Sequence, residues 1–74
     1  MFKLYLLKGS RHSEDAYRLL SDTNLEFEAE SISGREELAS IYFDLGIREL
    51  PTLISESSRA EGLDEIQAFL KRST

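Results

Sequence analysis

Phe2-Lys3-Leu4-Tyr5-Leu6-Leu7-Lys8-Gly9-Ser10-Arg11-His12-Ser13-Glu14-Asp15 opens the chain and decides its architecture. From Phe2 to Leu7 the residues are almost continuously apolar. Such a block suits a strand buried on both faces, the habit of central parallel strands. Lys8 to Ser13 breaks the pattern and forms a loop into a helix. Ser10 or Ser13 caps that helix, and Glu14 and Asp15 place negative charge in its first turn, where the helix dipole favours it. Ala16, Leu19, Leu20 and Thr23 follow at helical spacing, and Asp22-Thr23-Asn24 ends the element. A buried strand feeding an amphipathic helix is the start of an α/β unit.

Further along, Leu25 to Ile32 alternates. Leu25, Phe27, Ala29 and, after a slip, Ile32 are apolar, while Glu26, Glu28 and Glu30 point away. This predicts a half-exposed edge strand whose glutamates discourage pairing between molecules. Ser33-Gly34-Arg35-Glu36 fits a capping box, and the helix behind it should bury Leu38, Ile41, Tyr42 and Leu45 before stopping at a left-handed Gly46. Ile47 to Leu50 connects to a strand, Pro51 to Ser55, that begins with the sole proline. Proline is tolerated at a strand start because it supplies no ladder donor. Glu56-Ser57-Ser58 turns the chain into a brief edge strand, Arg59-Ala60-Glu61. Asp64, with Gln67 three residues on, caps a last helix that buries Ile66, Phe69 and Leu70 and ends on Lys71 and Arg72. Tyr5, Tyr42, Phe43 and Phe69 fall at core or near-core spacing, and Tyr17 on a helix rim.

Composition narrows the functional classes. The 74 residues suit one domain, 1–74, with a modest core. With no cysteine and one histidine, disulfides and thiolate clusters are excluded, and one chain lacks the usual ligands for zinc or iron. A net charge of −5 repels phosphate backbones, so nucleic acid is not the expected partner. No apolar run approaches the roughly 20 residues of a membrane span. The first strand is too short, and lacks the small-residue pattern, for a secretory signal. The expectation is a cytoplasmic monomer without a membrane partner.

The order strand, helix, strand, helix, strand, strand, helix carries a series of landmarks that resembles the glutaredoxin family over nearly the whole length. The landmarks are Leu4-Tyr5, Ser10-Arg11-His12-Ser13, Ala16 with Leu19-Leu20, Leu25-Glu26-Phe27-Glu28, Leu50-Pro51-Thr52-Leu53 and Gly62-Leu63-Asp64-Glu65-Ile66. The resemblance implies a three-layer, thioredoxin-like α/β fold, β-α-β-α-β-β-α, with a four-stranded mixed sheet in the order 2-1-3-4. It places Ser10 and Ser13 where the family carries Cys-x-x-Cys or Cys-x-x-Ser. A helix N-terminus lowers a thiol's pKa and so makes an attacking thiolate. A serine hydroxyl gains no such reactivity, so no thiol–disulfide exchange is expected of this chain.

The resemblance further implies a cis Leu50–Pro51 bond, a Leu50 backbone free to pair with an extended peptide or glutathione, and a γ-glutamyl site near Gly62, Asp64 and Glu65. The position at which the family often has a carboxylate-binding lysine is Leu7 here, with Lys8 beside it and Arg11 in the loop. The ligand-binding set is then Lys8, Ser10, Arg11, Leu50, Pro51, Gly62 and Asp64. There is no catalytic residue, metal or resident cofactor, with glutathione the one small ligand in view. The expected function is a non-catalytic module for a peptide, a protein partner or glutathione. The alternative is a glutathione or thiol–disulfide oxidoreductase whose cysteines at 10, 13 or both have been replaced by serine.

Blander readings stand beside these. Ser10 and Ser13 can serve as helix caps, or Ser10 can donate to a bound thiol. His12 diverges from Ser10 and lacks an orienting carboxylate, so it is a solvent-exposed loop residue before it is a base. Glu26, Glu28 and Glu30 solubilise an edge, and the acids at helix starts answer the dipole.

Overall fold

The computed structural model describes residues 1–73. In chain order these form β1 (Phe2–Leu7), α1 (Arg11–Ser21), β2 (Phe27–Ile32), α2 (Arg35–Leu45), β3 (Thr52–Ile54), β4 (Arg59–Glu61) and α3 (Leu63–Ser73). The sheet order is β2-β1-β3-β4. β1 runs parallel to β2, from Phe2 opposite Phe27 to Leu7 opposite Ile32, and antiparallel to β3, with Leu4 opposite Leu53. β3 and β4 form an antiparallel hairpin. This is the α/β, thioredoxin-like layout expected from the sequence, with the most apolar strand in an interior position.

The period of two along β1 sorts its side chains into two cores. Leu4 and Leu6 join Ala16, Leu20, Leu53, Ala60 and Ile66 under α1 and α3. Tyr5 joins Ile32, Ile41 and Ile47 on the opposite face, under α2. Leu4, Leu20 and Ile66 are wholly buried, each contributing about 1.5–3 kcal/mol of hydrophobic free energy. Phe2 meets Phe69 edge-to-face at 5.7 Å, tying the start of β1 to α3.

Several local expectations need correction. The ladder between β1 and β2 is continuous, so there is no slip before Ile32. Ile32 lies on the glutamate-bearing face and is buried there because α2 covers that end of the strand. Leu25 and Glu26 precede β2 rather than belong to it. Ser33 does not cap α2: the N-cap is Gly34, at φ 86°, and the Ser33 hydroxyl instead donates to Glu37 Oε1 at 3.4 Å. Asp64 does not cap α3 but lies inside its first turn, where Glu65 Oε1 accepts from the Glu61 N–H at 3.0 Å.

The largest departure is α2. Ile41 is its buried residue, whereas Leu38, Tyr42 and Leu45 are 37%, 47% and 39% exposed and Phe43 is 81% exposed. Neither Tyr42 nor Phe43 is core. At 11 residues the helix is as long as α1 but touches the sheet more sparsely, so a single residue anchors its three turns. Its end does follow expectation: Gly46 is left-handed at φ 70°, and its N–H donates to the Tyr42 carbonyl.

Candidate functional site

The entrance to α1 is built by Gly9 and the two serines. The Ser10 N–H donates to the Leu7 carbonyl at 3.1 Å, closing a turn whose third residue, Gly9, has φ 84°, a conformation side chains disfavour. Ser10 is the N-cap of α1: its Oγ accepts from the Ser13 N–H at 3.4 Å and its carbonyl from the Glu14 N–H at 3.1 Å. Ser13 is 2% exposed, and its Oγ accepts from the Leu7 N–H at 2.8 Å. Both hydroxyls therefore satisfy backbone donors where strand gives way to helix. Lys8 and Arg11 are exposed on either side of the turn.

The segment before β3 lies at the same end of the sheet. The Leu50–Pro51 peptide is cis, and the Pro51 carbonyl accepts from the Gly62 N–H at 2.7 Å. The Thr52 hydroxyl, fully buried, donates to the Glu49 carbonyl. Leu50 itself is half-buried, and its N–H and C=O form no hydrogen bond among the described residues. It edges a cleft of about 490 Å³ between the α2–β3 connection and α2, walled by Leu7, Leu38, Ile41, Tyr42 and Ile47. Arg48 supplies the cation on that rim.

Gly62 and Asp64 open onto a second cleft, about 330 Å³, shared with His12, Glu49, Glu61 and Glu65. Gly62 has φ 90°, a conformation that requires glycine; a Cβ there would stand 2.8 Å from Glu49 Oε2, the tip of an exposed, flexible side chain that can swing aside. The carboxylates give this cleft negative charge beside the start of α3.

The residues singled out in the sequence thus divide between adjoining surfaces. Leu50 belongs to the apolar cleft, Gly62 and Asp64 to the acidic one, and Ser10 and Pro51 to the framework between them. Lys8 faces another way, into a cleft of about 660 Å³ on the β2 side of α1 with Tyr17, Arg18 and Ser31. Tyr17 there stacks edge-to-face on Phe27 at 5.8 Å. Sequence reasoning missed the carboxylates that share a cleft with His12, since Glu49 and Glu61 come from another part of the chain. It also missed Leu38 and Tyr42 as cleft walls, because their helical spacing pointed to the core. Among the described residues no three His, Asp or Glu side chains converge as a metal site, and no helix is long and apolar enough to cross a membrane. Compared with known proteins, the chain matches no protein-family model and no curated protein.

Proposed function

We propose that this chain is a glutaredoxin-like module without redox-active thiols, and that it holds an extended peptide, from a protein partner or as a glutathione-like tripeptide, along Leu50. The observation that carries this reading is the Leu50 backbone, with donor and acceptor both unpaired at the rim of an apolar cleft. A ligand strand that exchanges hydrogen bonds with one backbone residue gains orientation from the main chain and specificity from the neighbouring side-chain cavity. The apolar cleft suits a leucine- or valine-sized side chain. The acidic cleft beside Gly62 suits an amino group at the ligand's other end.

The serines favour binding over exchange chemistry. Ser13 is buried and already accepts a hydrogen bond from Leu7, a task that sulfur, a weak acceptor, performs poorly. That fit supports serine as the residue this backbone is adapted to, rather than a replacement for a reactive cysteine.

The test is a titration of the isotopically labelled chain, followed by amide chemical shifts. The probes are reduced glutathione and a blocked, cysteine-free hexapeptide with a central leucine. Saturable shifts at Leu50 and its neighbours Glu49 and Thr52, with methyl shifts at Leu7 and Ile47, are the expected result. Silence at Leu50 with both probes at millimolar concentration overturns the reading.

A further inference from the structure

We propose that the cleft between α1 and β2 binds a small aromatic carboxylate, at a site separate from the Leu50 cleft. It holds about 660 Å³, within the range of small-molecule sites. Two elements create it by the way they present their residues. Ala16 and Leu20 turn one side of α1 into the core, while Ser13, Glu14, Tyr17, Arg18 and Ser21 recur along the side that walls the cleft. On β2, the alternation that carries Ile32 into the α2-side core turns Ala29 and Ser31 towards α1. Both are small and exposed, so the space beside α1 stays open.

The polar groups say what the cleft takes. Ser13 is 2% exposed and lines it together with Leu7, whose N–H its Oγ accepts. A hydroxyl also has a proton to donate, and among the described residues that of Ser13 meets no acceptor. An oxygen atom entering the cleft would supply one, and leaving a buried donor unsatisfied is costly. Lys8 and Arg18 stand exposed on the rim, and among the described residues neither forms an ion pair. A guanidinium is the donor whose planar fork fits a carboxylate.

The acids nearby set the ligand's charge. Glu14 lies on the same rim, and Arg18 also borders Asp15 and Asp22 on the α3 side of the helix. Glu28 and Glu30 fall on the other face of β2, where Lys3 meets Glu30. Two cations hemmed in by carboxylates suit one negative charge better than the two of a phosphate. The rest of the ligand lies against Leu6, Leu7 and the ring of Tyr17, which is braced edge-to-face on Phe27 at 5.8 Å and is 48% exposed. A flat ring packs on such a wall in offset or edge-to-face geometry. A ligand of about a dozen non-hydrogen atoms in an open cleft binds in the millimolar range.

Titration of the isotopically labelled chain with 3-phenylpropanoate tests this, with the dispersion of the remaining amides as the folding control. Saturable shifts at Lys8, Gly9 and Ser31 and at the Arg18 side-chain N–H are expected. 3-Phenylpropanamide, the same shape without the charge, should bind at least several-fold more weakly, and phenyl phosphate no more tightly than the carboxylate. Arg18→Gln and Lys8→Gln should each weaken binding several-fold. Ser31→Leu, which fills the cleft from an exposed position, should abolish the shifts. No saturable shift at tens of millimolar ligand, shifts centred on Leu50 and Ile47 instead, or equal affinity for the amide overturns the proposal. So does a folded Ser31→Leu chain that binds like wild type, and tighter binding of phenyl phosphate overturns the choice of a singly charged ligand. The probes and amides differ from those that test the Leu50 cleft, so either reading can fail alone.

Discussion

Ser13 illustrates how much one hydroxyl can decide when it is buried. Its Oγ satisfies the Leu7 N–H at the end of β1, whereas Ser10 contributes a longer bond at a less enclosed position. Leaving a buried donor unsatisfied costs about 1–3 kcal/mol, against about 0.5–2 kcal/mol for loss of an N-cap. Ser13→Ala should therefore lower the thermal midpoint by at least several degrees, and Ser10→Ala by less. Differential scanning calorimetry would check this, and equal losses would show that the two serines are interchangeable caps. Gly62 poses a second residue-scale question, because its positive φ resists a side chain while the nearby Glu49 carboxylate, exposed and flexible, can move aside. Gly62→Ala should cost about 1–3 kcal/mol from backbone conformation. Adding Glu49→Ala should recover little of the loss, since the carboxylate can move aside in any case and the new space leaves φ unchanged. Denaturant midpoints of the single and double variants would separate the two contributions.

The contrast between β1 and α2 shows what single elements conveyed in the sequence. An apolar run longer than one face needs can only be buried twice, so Phe2–Leu7 announced both its interior place and the two cores beside it. α2 was opaque because a stripe of Leu38, Ile41, Tyr42 and Leu45 has the same spacing whether its surroundings are sheet or solvent. What the pattern could not convey is that only Ile41 lies over the strands. The cis Leu50–Pro51 bond and the capping role of Ser10 were legible in the sequence. The carboxylates that share a cleft with His12 were not, since their placement depends on how the loop before β3 returns past α1 and α3. The exposure difference makes α2 testable: Ile41→Ala should destabilise by about 2–5 kcal/mol, while Phe43→Ser should change monomer stability by less than about 0.5 kcal/mol. Chemical denaturation at low micromolar concentration would measure both. Between β1 and β2, Lys3 Nζ lies 3.2 Å from Glu30 Oε1 and 5.0 Å from the centre of the Tyr5 ring. The hydrogen bond to Glu30, then the charge interaction with Tyr5, raise the lysine above its ordinary 10.5. A raised value means that whatever the pair contributes is complete below 10.5 and is lost as pH climbs through the folded-state value. NMR titration should find Lys3 moving back down in Glu30→Gln, and an unmoved lysine would show that the pair is not formed in solution.

Across the whole molecule, the two faces of the sheet are unequally covered. α1 and α3 close one side with seven buried residues plus the half-buried Phe2, Phe69 and Leu70, whereas the α2 side has four. Hydrogen-exchange protection tracks local opening, which is easiest where few apolar contacts must be broken. The amides of α2 should therefore exchange first among the three helices, through an opening that leaves β1, α1 and α3 closed. Opening of α2 would also dismantle the Leu50 cleft, since Leu38, Ile41 and Tyr42 are its walls. A peptide held in that cleft would then stabilise the helix that walls it. Adding the blocked hexapeptide at saturating concentration should slow exchange in α2 while leaving the slowest amides of β1 unaffected, if those report the α1–α3 core. Uniform exchange in all three helices would instead mean that the sheet and both its coverings open as one unit.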